Sequence, residues 1–108
     1  MEKISLVESK YARTDLITWW DQSKLSKSRV LVVGAGALGN EIVKNLTLIG
    51  VGHITLVDMD SIEHSNLSRG VFFRMGDEGR FKSEIVAERA MQLNPDVEIH
   101  PLTCSIQT

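Results

Sequence analysis

"RVLVVGAGALGNEIVKNLTLIG", residues 29–50, decides the fold. Arg29–Gly34 is a run of apolar and β-branched residues that stops at a glycine. It reads as a strand buried on both faces, as in parallel sheets. Leu38, Ile42, Leu46 and Ile49 then recur at helical spacing and predict one apolar helix face over 37–49. Gly50 suits the left-handed position that ends a helix. Between strand and helix, Gly34, Gly36 and Gly39 stand in the GxGxxG spacing. In that context the first glycine permits a tight turn, the second lets backbone approach a phosphate, and the third lets the helix pack against the strand. The N–H groups at the start of that helix, and its positive dipole end, would face the anion.

Working outward, "HITLVD" (53–58) is a second strand. Residues 80–93 form a second helix with Val86, Ala90 and Leu93 on one face, closed by Asn94-Pro95. "VEIHPL" (97–102) alternates and reads as a third strand with one wetter face. Upstream, 1–10 is a lead-in, and 14–27 carries a helix capped by Thr14 or Asp15, with Leu16, Trp20 and Leu25 to one side. The Trp19–Trp20 pair is expected to pack this helix. Parallel strands need such crossovers, which are almost always right-handed. The expected fold is therefore α/β: a Rossmann-like half-domain (29–108) with a three-stranded parallel sheet in order 3-2-1, crossover helices, and an N-terminal segment (1–28) bearing a helix. Both crossover helices fall on one side of that sheet. Something else must cover the other side and pair with the open edge of the first strand.

The bulk properties narrow the function. At 108 residues the chain holds one small domain, with 43% apolar and 24% charged residues and a formal net charge of −2. No basic excess points to nucleic acid, no apolar run nears the about 18 residues of a membrane span, and the amino terminus lacks the apolar core of a signal peptide. A cytoplasmic location is the expectation. The one cysteine, Cys104, excludes an internal disulfide or a multi-cysteine zinc site, and is expected to be a small, half-buried residue near a strand end.

Chemistry concentrates in "VDMDSIEHSNLSRG" (57–70). Asp58 ends the second strand where a ribose-binding carboxylate is expected. A nicotinamide-dependent oxidoreductase would use Gly34, Gly36, Gly39 and Asp58, but leaves Asn66, Arg69 and Lys82 without a task. A triphosphate under attack employs them. Arg69 can fork onto phosphate, Lys82 acts as a point charge, and Asn66 can donate its amide. Asp60 can serve Mg²⁺ or a second sugar hydroxyl. Taken singly, Arg69 and Lys82 read as solvated charges and Asn66 as a turn residue. Together, after a glycine loop and a matched acid, they form a candidate site.

The segments "VLVVGAGALGNEIVKNL", "GVGHITLVDMDSIEHSNLSRGVFFR", "DEGRFKSEIV" and "LNPDVEI" resemble the amino-terminal part of the ThiF/MoeB-type adenylyltransferases, which include the ubiquitin-activating enzymes. The similarity runs from Tyr11 to Leu102. It implies that Gly34, Gly36 and Gly39 form an ATP phosphate loop, that Asp58 binds the ribose, and that Asp60 is the second acid of the motif. By the same resemblance Asn66, Arg69 and Lys82 contact phosphates, with Arg69 and Lys82 acting in catalysis. Arg13, in "YAR", resembles an arginine that reaches a partner subunit's ATP in dimeric relatives. The implied activity is Mg-ATP-dependent adenylation of the C-terminal glycine carboxylate of a small ubiquitin-like protein ending in Gly-Gly. The sequence departs at Gly70, where the family often has glutamine. The family's Mg-binding aspartate, zinc-binding cysteines and acceptor cysteine belong to its second half, which is absent here. The resemblance thus implies no protein metal ligands within this chain, association with that second half or a homodimer, and inactivity in isolation. A non-catalytic nucleotide-binding or dimerisation module is the alternative.

Overall fold

The structure is a computed structural model that describes residues 21–105. The expected cap at Thr14 or Asp15, the Trp19–Trp20 pair and Arg13 lie outside the described residues.

Helix α1 (Gln22–Lys27) is capped by Asp21, whose carboxylate accepts from the backbone N–H groups of Ser23 and Lys24. It leads into strand β1 (Arg29–Val33). The glycine turn follows, then helix α2 (Ala37–Ile49), ended by Gly50 at φ 89°. Strand β2 (His53–Val57), a 3₁₀ turn (His64–Asn66), helix α3 (Lys82–Leu93) and strand β3 (Glu98–Leu102) complete the chain. The sheet is parallel throughout, with β2 central between β1 and β3, as the 3-2-1 order requires.

The core lies on one side of the sheet. Val32, Ile54, Leu56 and Ile99 meet Val43 of α2 and Ile85, Val86 and Ala90 of α3, with Ile62, Phe72 and Phe73 closing the rim. The inward face of α2 differs from the sequence expectation. Gly39, Asn40, Val43 and Thr47 are its buried residues, and Leu46 is partly buried. Leu38, Ile42 and Ile49 point outward and are exposed. The cause is the third glycine. A Cβ at Gly39 would sit 1.9 Å from the carbonyl oxygen of Gly34. The helix thus rests its glycine side on the turn, and that contact sets its rotation. Leu93 of α3 is likewise exposed, while Ser83, Ile85 and Ala87 join Val86 and Ala90 inside.

On the opposite side of the sheet Leu31 and Val33 are 58% and 56% exposed, so burial of β1 on both faces is not met among the described residues. Helix α1 does not provide the cover. It has no buried residue and sits at the amino end of the sheet, where Gly52 N–H bonds the Leu25 carbonyl and His53 N–H that of Ser28.

Candidate functional site

Three glycines shape the carboxyl rim, each for a different reason. Gly34 has φ 101°, a backbone state that strongly favours glycine. Gly39 is demanded by the contact just described. Gly36 has no steric reason among the described residues: a Cβ there would meet no atom within 4 Å. It forms the N-cap of α2 without a side-chain bond, and the first turn carries no acid. The N–H groups at that helix start are therefore uncapped, the arrangement that suits an anion.

Asp58 continues from β2 into the same rim. Its Oδ2 accepts from Ala35 N–H at 2.7 Å, and its Oδ1 accepts from Asp60 N–H at 2.8 Å. An ionised carboxylate has about four acceptor sites, so two remain for sugar hydroxyls. Asp58 is half-buried, whereas Asp60 is exposed. A hollow of about 220 Å³ beside Asp58 is lined by Val33, Gly34, Val57, Met59, Cys104 and Ser105. A second hollow, about 300 Å³, lies on the other flank of the turn against Gly36, Leu38 and Ile42. Cys104 is exposed at the first hollow, not half-buried as expected, because the chain leaves the sheet after Leu102.

Lys82 reaches the rim through a closed loop. Ser61 and Phe81 form an antiparallel bridge, and Lys82 N–H bonds the Asp60 carbonyl at 3.0 Å. The first residue of α3 thus stands beside the segment that holds Asp58. A cation at a helix start is disfavoured by the dipole, and a bound anion there would reverse that cost.

Asn66 and Arg69 lie on the intervening loop. Asn66 Oδ1 accepts from Glu63 N–H at 2.7 Å. The Asn66 carbonyl accepts from the N–H groups of Arg69 and Gly70. Arg69 is exposed, and neither it, Asn66 nor Lys82 lines either hollow. The structure therefore brings Gly34, Gly36, Gly39, Asp58, Asp60 and Lys82 to one rim. It holds Asn66 and Arg69 on an adjoining loop. Gly70 packs so tightly on Phe73 that a Cβ would fall 2.3 Å from its ring, which accounts for glycine at that position.

Three residues that stabilise this arrangement were missed from sequence. Asn40 is fully buried and bonds both the glycine turn and Phe72. Arg89 donates to the Phe72 carbonyl at 2.7 Å and forks onto Asp77. The Arg89 guanidinium holds the Asp77 carboxyl below its ordinary range, against the opposing effect of burial. For Asn40 and Arg89 the sequence signal is a polar residue at an inward helical position; Asp77 lies on the loop before α3 and carries none.

Residues 8–108 match the ThiF family. The chain belongs to the ThiF family. Among ThiF relatives, human ubiquitin-like modifier-activating enzyme 7 is 49% identical over 87 residues, which is 76% of this chain and 9% of that enzyme. The Arabidopsis thaliana NEDD8-activating enzyme E1 catalytic subunit is 47% identical over 73 residues, 68% of this chain and 16% of that subunit. Escherichia coli MccB with ATP superposes at TM-score 0.85 and 29% identity, covering 96% of this chain and 33% of MccB. E. coli tRNA N6-threonylcarbamoyladenosine dehydratase, TcdA, gives TM-score 0.78 and 27% identity, covering 87% and 40%. This ThiF chain spans a small part of the curated relatives and about a third of the MccB fold.

Proposed function

We propose that this chain is the ATP-binding portion of an adenylyltransferase that activates the C-terminal glycine carboxylate of a small ubiquitin-like protein. The observation that carries the reading is the hydrogen-bonded rim itself. One carboxylate, Asp58, is fixed by Ala35 of the glycine turn and by Asp60, whose carbonyl in turn holds Lys82. The sugar acid, the anion-binding turn and the backbone of Lys82 are joined as one unit. Relatives named for ubiquitin-like modifiers and a structural neighbour named with ATP support it.

In this reading the ribose lies on Asp58 and the base enters the adjacent hollow. The phosphates run along the uncapped start of α2, with Arg69 and Lys82 drawing charge from the tail and Asn66 donating its amide. The attacking carboxylate is already an anion and needs no general base. A bond forms from its oxygen to the α-phosphorus, the bond to the β-phosphate's bridging oxygen breaks, and pyrophosphate leaves. Positioning and charge neutralisation are what the site must provide.

Mg²⁺ is commonly held by one or two carboxylates plus the substrate's phosphates. Asp60 fits that pattern, with an exposed carboxylate on a backbone bonded at both its N–H and carbonyl. Among the described residues no group of three or more His, Cys, Asp or Glu side chains could hold a metal ion. When bound, the ion neutralises charge on the departing phosphates.

The exposed Leu31, Val33, Leu38 and Ile42 support association with the rest of an adenylation unit or with a second copy. The same family resemblance, with Arg13 reaching a partner's ATP, favours a dimeric assembly. Calorimetric titration with ATP, repeated in the presence of NAD⁺, tests the nucleotide assignment. ATP binding that NAD⁺ does not displace is expected. Tight NAD⁺ binding without ATP competition would instead establish the oxidoreductase reading.

A further inference from the structure

Asn40 connects the two parts of the site. Its Nδ2 donates to the carbonyls of Ala35 and Gly36, both at 2.8 Å, and its Oδ1 accepts from Phe72 N–H at 3.0 Å. Among the described residues it is the side chain that bonds both the glycine turn and the loop carrying Arg69. Burying an amide costs desolvation, which these bonds offset. What three bonds from one rigid group add is a fixed spacing.

The loop it holds is cross-bonded along its length. Arg69 and Gly70 N–H groups bond the Asn66 carbonyl, and Phe73 N–H bonds that of Gly70. Gly70 admits no Cβ against the Phe73 ring. At its end the Phe72 peptide is gripped twice, its N–H by Asn40 and its carbonyl by Arg89, which Asp77 locks in place. Moving Phe72 therefore moves Arg69, and Asn40 ties Phe72 to Gly36.

We infer that Asn40 is a positioning residue for the nucleotide's anionic tail. It sets the Arg69 loop at the separation from the glycine turn that lets one run of phosphates engage both. The inference rests on the ATP reading above. A purely architectural amide would predict equal effects on every ligand of the rim. A spacing device predicts effects on the tail alone.

The test is a double-mutant cycle with Asn40→Ala and Arg69→Ala, reading ATP and AMP affinity by calorimetry. Asn40→Ala is expected to weaken ATP about tenfold and leave AMP little changed. In the Arg69→Ala background it should weaken ATP no further. Additive losses, or equal losses for ATP and AMP, would overturn the positioning role. Should Asn40→Ala not fold, Arg89→Lys takes its place: it keeps a cation beside Asp77 but removes the guanidinium that both forks onto Asp77 and bonds the Phe72 carbonyl, and the same outcomes decide. Failure of the unmodified chain to bind ATP would instead remove the nucleotide reading, and this role with it.

Discussion

Oδ2 of Asp58 accepts a 2.7 Å hydrogen bond from the backbone N–H of Ala35, so the acid that ends β2 is fastened to the glycine turn that ends β1. The two strands are neighbours in the sheet, with Val33 opposite Val57, and this bond closes the rim one step past the last pair. Asp58 is thereby oriented before any sugar arrives. Asp58→Asn should weaken adenosine binding by about 1.5–3 kcal/mol, because bonds to an ionised acceptor are lost. It should also abolish preference for adenosine over its 2′,3′-dideoxy analogue. Titration of both ligands against both proteins measures this, and an unchanged preference would move the ribose elsewhere.

The second and third glycines separate fold from binding. Gly39→Ala forces a Cβ into the Gly34 carbonyl and should cost at least about 1–3 kcal/mol in urea unfolding. Gly36→Ala meets open space and should change stability by no more than about 0.5 kcal/mol, yet weaken ATP binding. Equal destabilisation by the two would mean that Gly36 serves only the turn.

Arg69→Ala and Lys82→Ala are expected to weaken ATP more than AMP, since both cations serve phosphates beyond the first. Stability should hardly change, as Arg69 is exposed and Lys82 only half-buried. Equal losses for both nucleotides, measured calorimetrically, would take either residue out of that role.

Acid should act through Asp77. The Arg89 hydrogen bonds hold its folded-state carboxyl below the ordinary 3.8, and desolvation opposes them without prevailing. The unfolded chain therefore takes up this proton first. The stabilisation is complete above the ordinary value and is lost as pH falls through the folded one. Asp77→Asn should cost about 3–5 kcal/mol near neutrality, leaving Arg89 without its partner. Its deficit relative to the unmodified chain should shrink as pH falls below 3.8. A deficit independent of pH in urea unfolding would contradict the assignment.

Much of this architecture is legible in the chain. β1, α2, β2, α3 and β3 fall within two residues of their expected limits because strand-type runs, Gly50 and Asn94-Pro95 are local signals. The rotation of α2 is not local. Periodicity favours Leu38, Ile42 and Ile49 inward, but the Gly39–Gly34 contact turns Asn40, Val43 and Thr47 inward instead. Asn40 reaches 32 residues along the chain to Phe72, and Arg89 reaches 12 to Asp77. Their partners exist only after folding, so no spacing rule could have found them. The place of Asp58 just past β2, beside the glycine turn, is legible because strand end and motif coincide. Arg69 is singled out by resemblance alone, and its backbone N–H is held by the Asn66 carbonyl, a bond that sequence does not display.

The chain alone should bind ATP weakly and show no pyrophosphate–ATP exchange with a partner ending in Gly-Gly. Its relatives are longer: it covers 9% of the human enzyme and 33% of MccB. Exchange at the rate of an intact activating enzyme would show that residues 1–108 suffice for adenylation.

In the proposed function one nucleotide lies along the rim from Asp58 to the start of α2. Backbone amide NMR during an ATP titration tests it most directly. Saturable shifts are expected at Gly34, Gly36, Asp60 and Lys82, with Arg69 responding to ATP and not to adenosine. Shifts confined to other surfaces, or none at Gly36 while ATP binds, would contradict it.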